Sequence, residues 1–307
     1  MERLLADAEL VGVADTPSGM QGAKLLTLKA RAEGRAVVLR AKWRPQSSGD
    51  LLNEPRKELA AYAVQKLFLK DAELVAPPTV ARCFPLDEYR RFVPDARTSY
   101  PGVRCVAGFL SYWLEGVKTV TAARKAGLLG DGTGIWDSEL FEQDRLYRSS
   151  VSHANLLTYL IHHGDAHEEQ FVLERAPRGL RAYVVDNSIA FLSIKNPMLL
   201  VRQDWSSIQV PWLDRQAVER LRNLRDDDYA RLATIAVLQR RDEQLLAVRA
   251  PPPAADEGAA MSWNGERLRI GLTAAEIALV RTRVGDLLRR PDLPALMGGE
   301  PTSPQEP

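Results

Sequence analysis

The sequence predicts an α+β chain, with a small antiparallel sheet and one helix on its N-terminal side and a larger, mainly helical portion after them. Three observations carry this expectation. Residues 9–43 alternate strand-like runs with breaker clusters: ELVGVAD, Thr16-Pro17-Ser18-Gly19, AKLLTLKA, Ala32-Glu33-Gly34, RAVVLRAKW. The run NEPRKELAAYAVQKLFL then takes helical spacing, with Pro55 at its start and Leu59, Tyr62, Ala63 and Leu67 on one stripe. Further along, Leu156 to Leu192 joins an apolar helix end, a polar loop HGDAHEEQ, a strand FVLE, a turn and a second strand LRAYVVD.

Bulk composition narrows the functional classes. With 307 residues, 45% hydrophobic and 26% charged, the chain can bury one large core or two modest ones. A net charge of +1 gives no whole-chain field that would favour nucleic acid or an anionic membrane. The start, MERLLADAELVGV, carries acids where a signal peptide needs a basic end, and no segment approaches the ~20 apolar residues of a membrane span, so a cytoplasmic location is the expectation. Cys83 and Cys105 are too few for a disulfide framework and lack metal-type spacing, and they read as free structural thiols.

The Leu156–Leu192 stretch organises the rest. Ala176-Pro177-Arg178-Gly179 places Pro and Gly at the second and fourth positions of a type I turn. A hairpin closed there brings its open ends together, with Asp165, His167 and Gln170 on one side and Asp186 on the other. Two carboxylates so placed can divide labour. One orients or deprotonates a nucleophilic hydroxyl, and the other holds magnesium or manganese between phosphate oxygens.

These motifs resemble the protein-kinase-like superfamily. HGDAHEEQFVL is similar to the H-G-D-x-H-x-x-N-x-L loop of the aminoglycoside-phosphotransferase branch and to the G-D-R-H-x-x-N loop of the phosphatidylinositol kinases. VVDNSIAF resembles the D-N-G-x-A-F of the Golgi casein kinase (secretory-pathway kinase) family, SGMQGAKLLTL resembles its G-T-Q-x-K nucleotide loop, and KELAAY and APPTVAR resemble its E-x-A-A-Y and V-P-P-T-V-x-R. The resemblance runs from about Leu10 to Leu213 and implies a bilobal protein-kinase-like fold. It also implies ATP-dependent transfer of the γ-phosphate to a hydroxyl of a protein Ser/Thr or a small molecule, with Mg2+ or Mn2+.

The resemblance assigns roles residue by residue. Asp165 is the catalytic carboxylate, and Lys42 neutralises phosphates with Glu58 as its partner and Glu54 as runner-up. Ser18, Gly19, Gly22 and Lys24 approach the nucleotide, and Glu115 marks the hinge. Asp186 and Gln170 hold metal, with His163, His167 and Asn187 supporting. Lys42, Glu58, Asp165 and Asp186 are expected around one nucleotide and metal in a cleft between two lobes. Two departures stand out. Gln170 sits where Asn is usual, and Arg40 shares a strand face with Lys42 where a small or apolar residue is usual. Both features favour an alternative, a pseudokinase that binds nucleotide or a partner without turnover. A further alternative treats His163, Asp165 and His167 as a metal-dependent hydrolase cluster. GLLGDGTG is read as a surface loop, because no strand precedes it.

The expected domains are an N-lobe at 1–117, a C-lobe at 118–249, a proline-rich linker at 250–260, a helical segment at 261–290 and a disordered tail at 291–307. In the C-lobe, 216–248 reads as helices. In the C-terminal segment, Thr273 to Glu276 reads as a capping box that opens a helix.

Overall fold

The structure, a computed structural model, describes residues 1–17, 22–46, 53–130, 135–192, 204–249 and 259–298. The fold is mixed α+β. Strands β1 (Glu9–Asp15), β2 (Lys24–Ala32), β3 (Arg35–Pro45), β4 (Thr79–Pro85) and β5 (Cys105–Tyr112) form an antiparallel sheet in the order β1-β2-β3-β5-β4. Strands β6 (Lys118–Thr119), β7 (Phe171–Ala176) and β8 (Gly179–Val184) form a second sheet, and β9 (Ala236–Arg241), β10 (Gln244–Val248), β11 (Met261–Asn264) and β12 (Arg267–Ile270) a third, ordered β10-β9-β12-β11. The chain divides into two compact units: Met1–Ala63 with Pro77–Leu114 and Tyr229–Ile277, and Val64–Ala76 with Glu115–Asp228 and Ala278–Pro307.

In the first unit the alternation of β3 sets the faces. Leu39, Ala41 and Trp43 are buried, so Arg40 and Lys42 lie on the opposite face. Trp43 meets the edge of Phe84 at a centroid distance of 5.0 Å, and both rings lie near Tyr89. Gly108 of β5 lets that strand run close to β3, because a Cβ there would stand 2.3 Å from the Arg44 carbonyl oxygen and 2.8 Å from the Trp43 ring. The two cysteines are not free. Cys83 of β4 and Cys105 of β5 form a disulfide across adjacent strands. Counting cysteines cannot reveal this, because the bond depends on a strand pairing that places their Cα atoms 5.5 Å apart.

Residues 236–248 correct a second expectation, since they form two strands where helix was predicted. The segment VLQRRDEQLLAV contains many helix formers, but Asp242 and Glu243 take left-handed backbone (φ 47° and 62°) and close a two-residue hairpin between Arg241 and Gln244. The 261–290 segment likewise opens with β11 and β12 before its helix, Ala274–Leu288. This third sheet contributes Leu238, Leu245, Leu268 and Ile270 to one core with Leu59, Ala81, Cys83, Cys105 and Phe109.

In the second unit the Arg145–Leu160 helix lies along β8, where Ser150 Oγ accepts the Ala182 N–H at 2.9 Å. Asp144 ties helix to hairpin. One oxygen caps the helix through the Tyr147 N–H (2.9 Å), and the other accepts the Leu180 N–H (2.7 Å) just past the turn. The tail expected to lack structure from Pro291 forms a helix at Leu293–Gly298, where the Leu296 carbonyl accepts the Leu213 N–H at 2.9 Å. Leu293 is the buried residue of that helix. The linker residues 250–258 and the end of the tail from 299 lie outside the described residues. Among the described residues, no helix is long and apolar enough to cross a membrane.

Candidate functional site

The site residues of the second unit are placed by backbone before side chains contribute. The Arg145–Leu160 helix ends, His162 turns through left-handed backbone (φ 42°), and its Nδ1 lies 2.6 Å from the Leu192 carbonyl oxygen. The Gly164 N–H then donates to the Ile189 carbonyl at 2.8 Å, and the Val185 N–H donates to the Gln170 carbonyl at 2.8 Å. The loop carrying Asp165 and the loop carrying Asp186 are therefore cross-linked at two points. Gly164 is required for this contact, because a Cβ there would lie 2.0 Å from Leu192 Cδ1 and 3.0 Å from the Ile189 carbonyl oxygen. Asp186 itself adopts left-handed backbone (φ 61°, ψ 46°), a conformation that costs a non-glycine residue energy and is enriched at functional positions.

Asp165 is surrounded by polar groups from its own loop. Gln170 Nε2 donates to Asp165 Oδ2 at 3.1 Å, and His167 Nε2 lies 3.5 Å from Oδ1. The His167 tautomer is set from the other side, since Nδ1 accepts the Glu169 N–H at 3.2 Å and leaves the proton on Nε2, facing Asp165. The Asp165 pKa is raised above the ordinary carboxylate range. Burial is the main cause and the nearby Asp186 carboxylate adds to it, while His167 and Gln170 act in the opposite sense.

His163 has a different character. It is fully buried, and its Nδ1 accepts the Asp165 N–H at 3.2 Å, so the proton sits on Nε2. Burial lowers its pKa to about 4, with Asp186 opposing and His167 adding to the shift, and the ring is neutral at pH 7. It braces the loop. With Nδ1 engaged by backbone, His163 is a poor third member of a metal cluster with Asp165 and His167. Asn187 is buried beside Asp186 in the short turn Asn187–Ile189.

In the first unit, Lys42 Nζ lies 2.9 Å from Glu58 Oε1, with Glu58 in the first turn of the Arg56–Gln65 helix. Strand alternation delivers Lys42 and the helix start delivers Glu58. Glu54, the runner-up, instead pairs with Arg56 (2.8 Å) and Lys57 (3.0 Å). Lys24 Nζ donates to Asp15 Oδ1 at 2.6 Å across β1 and β2, and Gly22 has left-handed backbone (φ 71°). Ser18 and Gly19 lie outside the described residues. Glu115 is exposed, the first residue past the first unit's 77–114 segment, and Gly116 (φ 71°) turns the chain there. Arg40 is exposed, and its carbonyl accepts the Trp113 N–H at 3.0 Å.

Sequence reasoning passed over Arg56. Its guanidinium is buried and donates to Glu276 through two nitrogens, at 3.0 and 2.7 Å. The available signal was a charge in the first turn of a helix whose next turns are apolar. Scanned against protein-family models and searched against curated proteins, the chain matches none.

Proposed function

We propose that the chain is a kinase-like, ATP-dependent phosphotransferase that moves the γ-phosphate of ATP to a hydroxyl acceptor, a protein Ser/Thr or a small molecule. The observation that carries this assignment is the pair of carboxylates at the open end of the β7–β8 hairpin, on two loops cross-linked through Gly164 and Gln170. Asp165 accepts the acceptor's proton as the new O–P bond forms and the bond from the γ-phosphorus to its bridging oxygen breaks, with ADP as the leaving group. The raised pKa of Asp165 makes it a better proton acceptor than an exposed aspartate. Lys42, held by Glu58, neutralises phosphate charge.

The donor chemistry fits Mg2+ or Mn2+, because Asp186 offers a carboxylate and Gln170 an amide oxygen, both hard ligands. When bound, such an ion would neutralise phosphate charge. Everything else is supplied by the chain's own residues: Asp165 orients the hydroxyl, Gln170 fixes the Asp165 carboxylate, and neutral His163 stiffens the loop from beneath.

The test is ATP turnover with magnesium or manganese, comparing the unaltered chain with Asp165→Ala, Asp186→Ala and Lys42→Met. Each substitution is expected to reduce kcat by on the order of 10² to 10⁴. Turnover that survives Asp165→Ala and Asp186→Ala would sink the assignment. A second reading, a nucleotide-binding module without turnover, is favoured by the Gln170 amide lying against Asp165 where a reacting hydroxyl would have to bind. Nucleotide binding by a chain that hydrolyses or transfers nothing would establish that reading instead.

A further inference from the structure

The segments 229–249 and 259–277 lie beyond the stretch that carries the resemblance, yet they supply the partner of a buried cation in the first unit. Arg56 opens the helix that bears Glu58 two residues later. Its Nη1 donates to Glu276 Oε2 at 3.0 Å and to the Gly271 carbonyl at 3.3 Å, its Nη2 to Glu276 Oε1 at 2.7 Å, and its Nε to Glu54 Oε2 at 2.8 Å. Both members of the pair are withdrawn from water, with Arg56 6% and Glu276 9% exposed. A planar guanidinium bound to both carboxylate oxygens has one permitted geometry, which a flexible lysine pair lacks.

Glu276 is itself fixed. The backbone N–H and the hydroxyl of Thr273 both donate to Glu276 Oε2, and the Glu276 N–H donates to Thr273 Oγ1, a complete capping box. The turn before it is packed backbone to backbone, since a Cβ on Gly271 would stand 2.2 Å from the Ala233 carbonyl oxygen. On the other side of Glu58, Leu59 packs in the core that contains Leu238, Leu245, Leu268 and Ile270. Glu58 is thus flanked by two contacts to the same segment, one ionic and one apolar.

We infer that residues 229–249 and 259–277 form a built-in positioning module, in which the Arg56–Glu276 latch holds the first turn of the helix in the register where Glu58 meets Lys42. Arg56 and Glu276 are positioning residues and act only through Glu58. The inference rests on the phosphotransferase proposal for its functional meaning, and its geometric content can be tested without turnover.

The readout is acylation of Lys42 by limiting acetic anhydride in the full-length chain, quantified by mass spectrometry against exposed Lys29. Glu276→Gln keeps the capping box, because Gln serves at that position as well as Glu, but removes the charge that holds Arg56. Arg56→Lys keeps the charge and loses the fork, and guards against a Glu276 variant that fails to fold. Thr273→Ala removes the cap hydroxyl and leaves the ion pair. Lys42 labelling is expected to rise several-fold in Glu276→Gln, by a factor within the roughly 5- to 150-fold range of intramolecular couplings, less in Arg56→Lys, and not at all in Thr273→Ala. ATP turnover is expected to fall in the same order, in kcat more than in KM. Unchanged labelling in Glu276→Gln, or an equal rise in Thr273→Ala, overturns the latch. Absence of turnover in the unaltered chain overturns the phosphotransferase assignment instead, and the labelling still judges the latch.

Discussion

The Asp165 carboxylate has one donor on each oxygen, and the two donors differ in what they can do. His167 Nε2, at 3.5 Å, is long for a hydrogen bond, while Gln170 Nε2 at 3.1 Å is within range. Gln170 thus supplies a hydrogen-bond brake, beside the larger electrostatic one of His167, on a pKa that burial and Asp186 push upward. Replacing it with Leu removes a donor to the charged form and adds apolar surface, and both effects favour the protonated acid. A protonated Asp165 cannot accept the hydroxyl's proton, so the acidic limb of kcat/KM against pH is expected to move to higher pH in Gln170→Leu. An acidic limb at the same pH in both proteins would show that Asp165 is not the group being titrated.

Among elements, the junction of the two site loops depends on the absence of one side chain. At Gly164 a methyl group would overlap Leu192 Cδ1, which can move, and press on the Ile189 carbonyl, which cannot move without shifting the Asp186 loop. Gly164→Ala is expected to destabilise the second unit by about 1–3 kcal/mol, the usual cost of overpacking a close contact. The measurement is the urea midpoint, and a midpoint within error of the unaltered chain would mean that the loops are not locked together there. This junction was legible in the sequence as far as its parts: the helix end, the polar loop, the Pro-Arg-Gly hairpin and the order of Asp165, Gln170 and Asp186. The hairpin signal at 176–179 could be read because Pro and Gly are chemically specific. The β9–β10 hairpin could not, because its turn uses Asp242 and Glu243 in left-handed backbone, a conformation strand pairing imposes and Glu does not advertise. Likewise the Lys42–Glu58 pair followed from a motif, whereas the Arg56–Glu276 pair joins residues far apart in sequence, and no local pattern encodes it.

At the scale of the whole molecule, acid stability reports which buried carboxylates are held in their charged form. Asp214 caps the Arg215–Arg222 helix through the Ala217 N–H at 3.0 Å, and its Oδ2 lies 3.3 Å from His153 Nε2. Burial alone would raise its pKa. The His153 ring and the helix N-terminal amides outweigh burial and hold it at about 2. Glu276 is likewise lowered, with the Arg56 guanidinium overcoming burial. For both groups the folded state favours the ionised form, so their stabilisation is fully present above the unfolded carboxylate pKa of roughly 4 and is lost as pH falls towards the folded value. Asp214→Asn separates charge from cap, because Asn is as good an N-cap as Asp. At pH 7 the variant is expected to be less stable by on the order of 1–2 kcal/mol, after allowance for partial solvent screening. The deficit should shrink as pH is lowered from about 4 and vanish as pH falls through about 2, where Asp214 in the unaltered chain is itself protonated. Urea titrations at a series of pH values check this. A deficit that stays constant down to the lowest pH would mean that the hydrogen-bond geometry of the cap, and not its charge, does the stabilising.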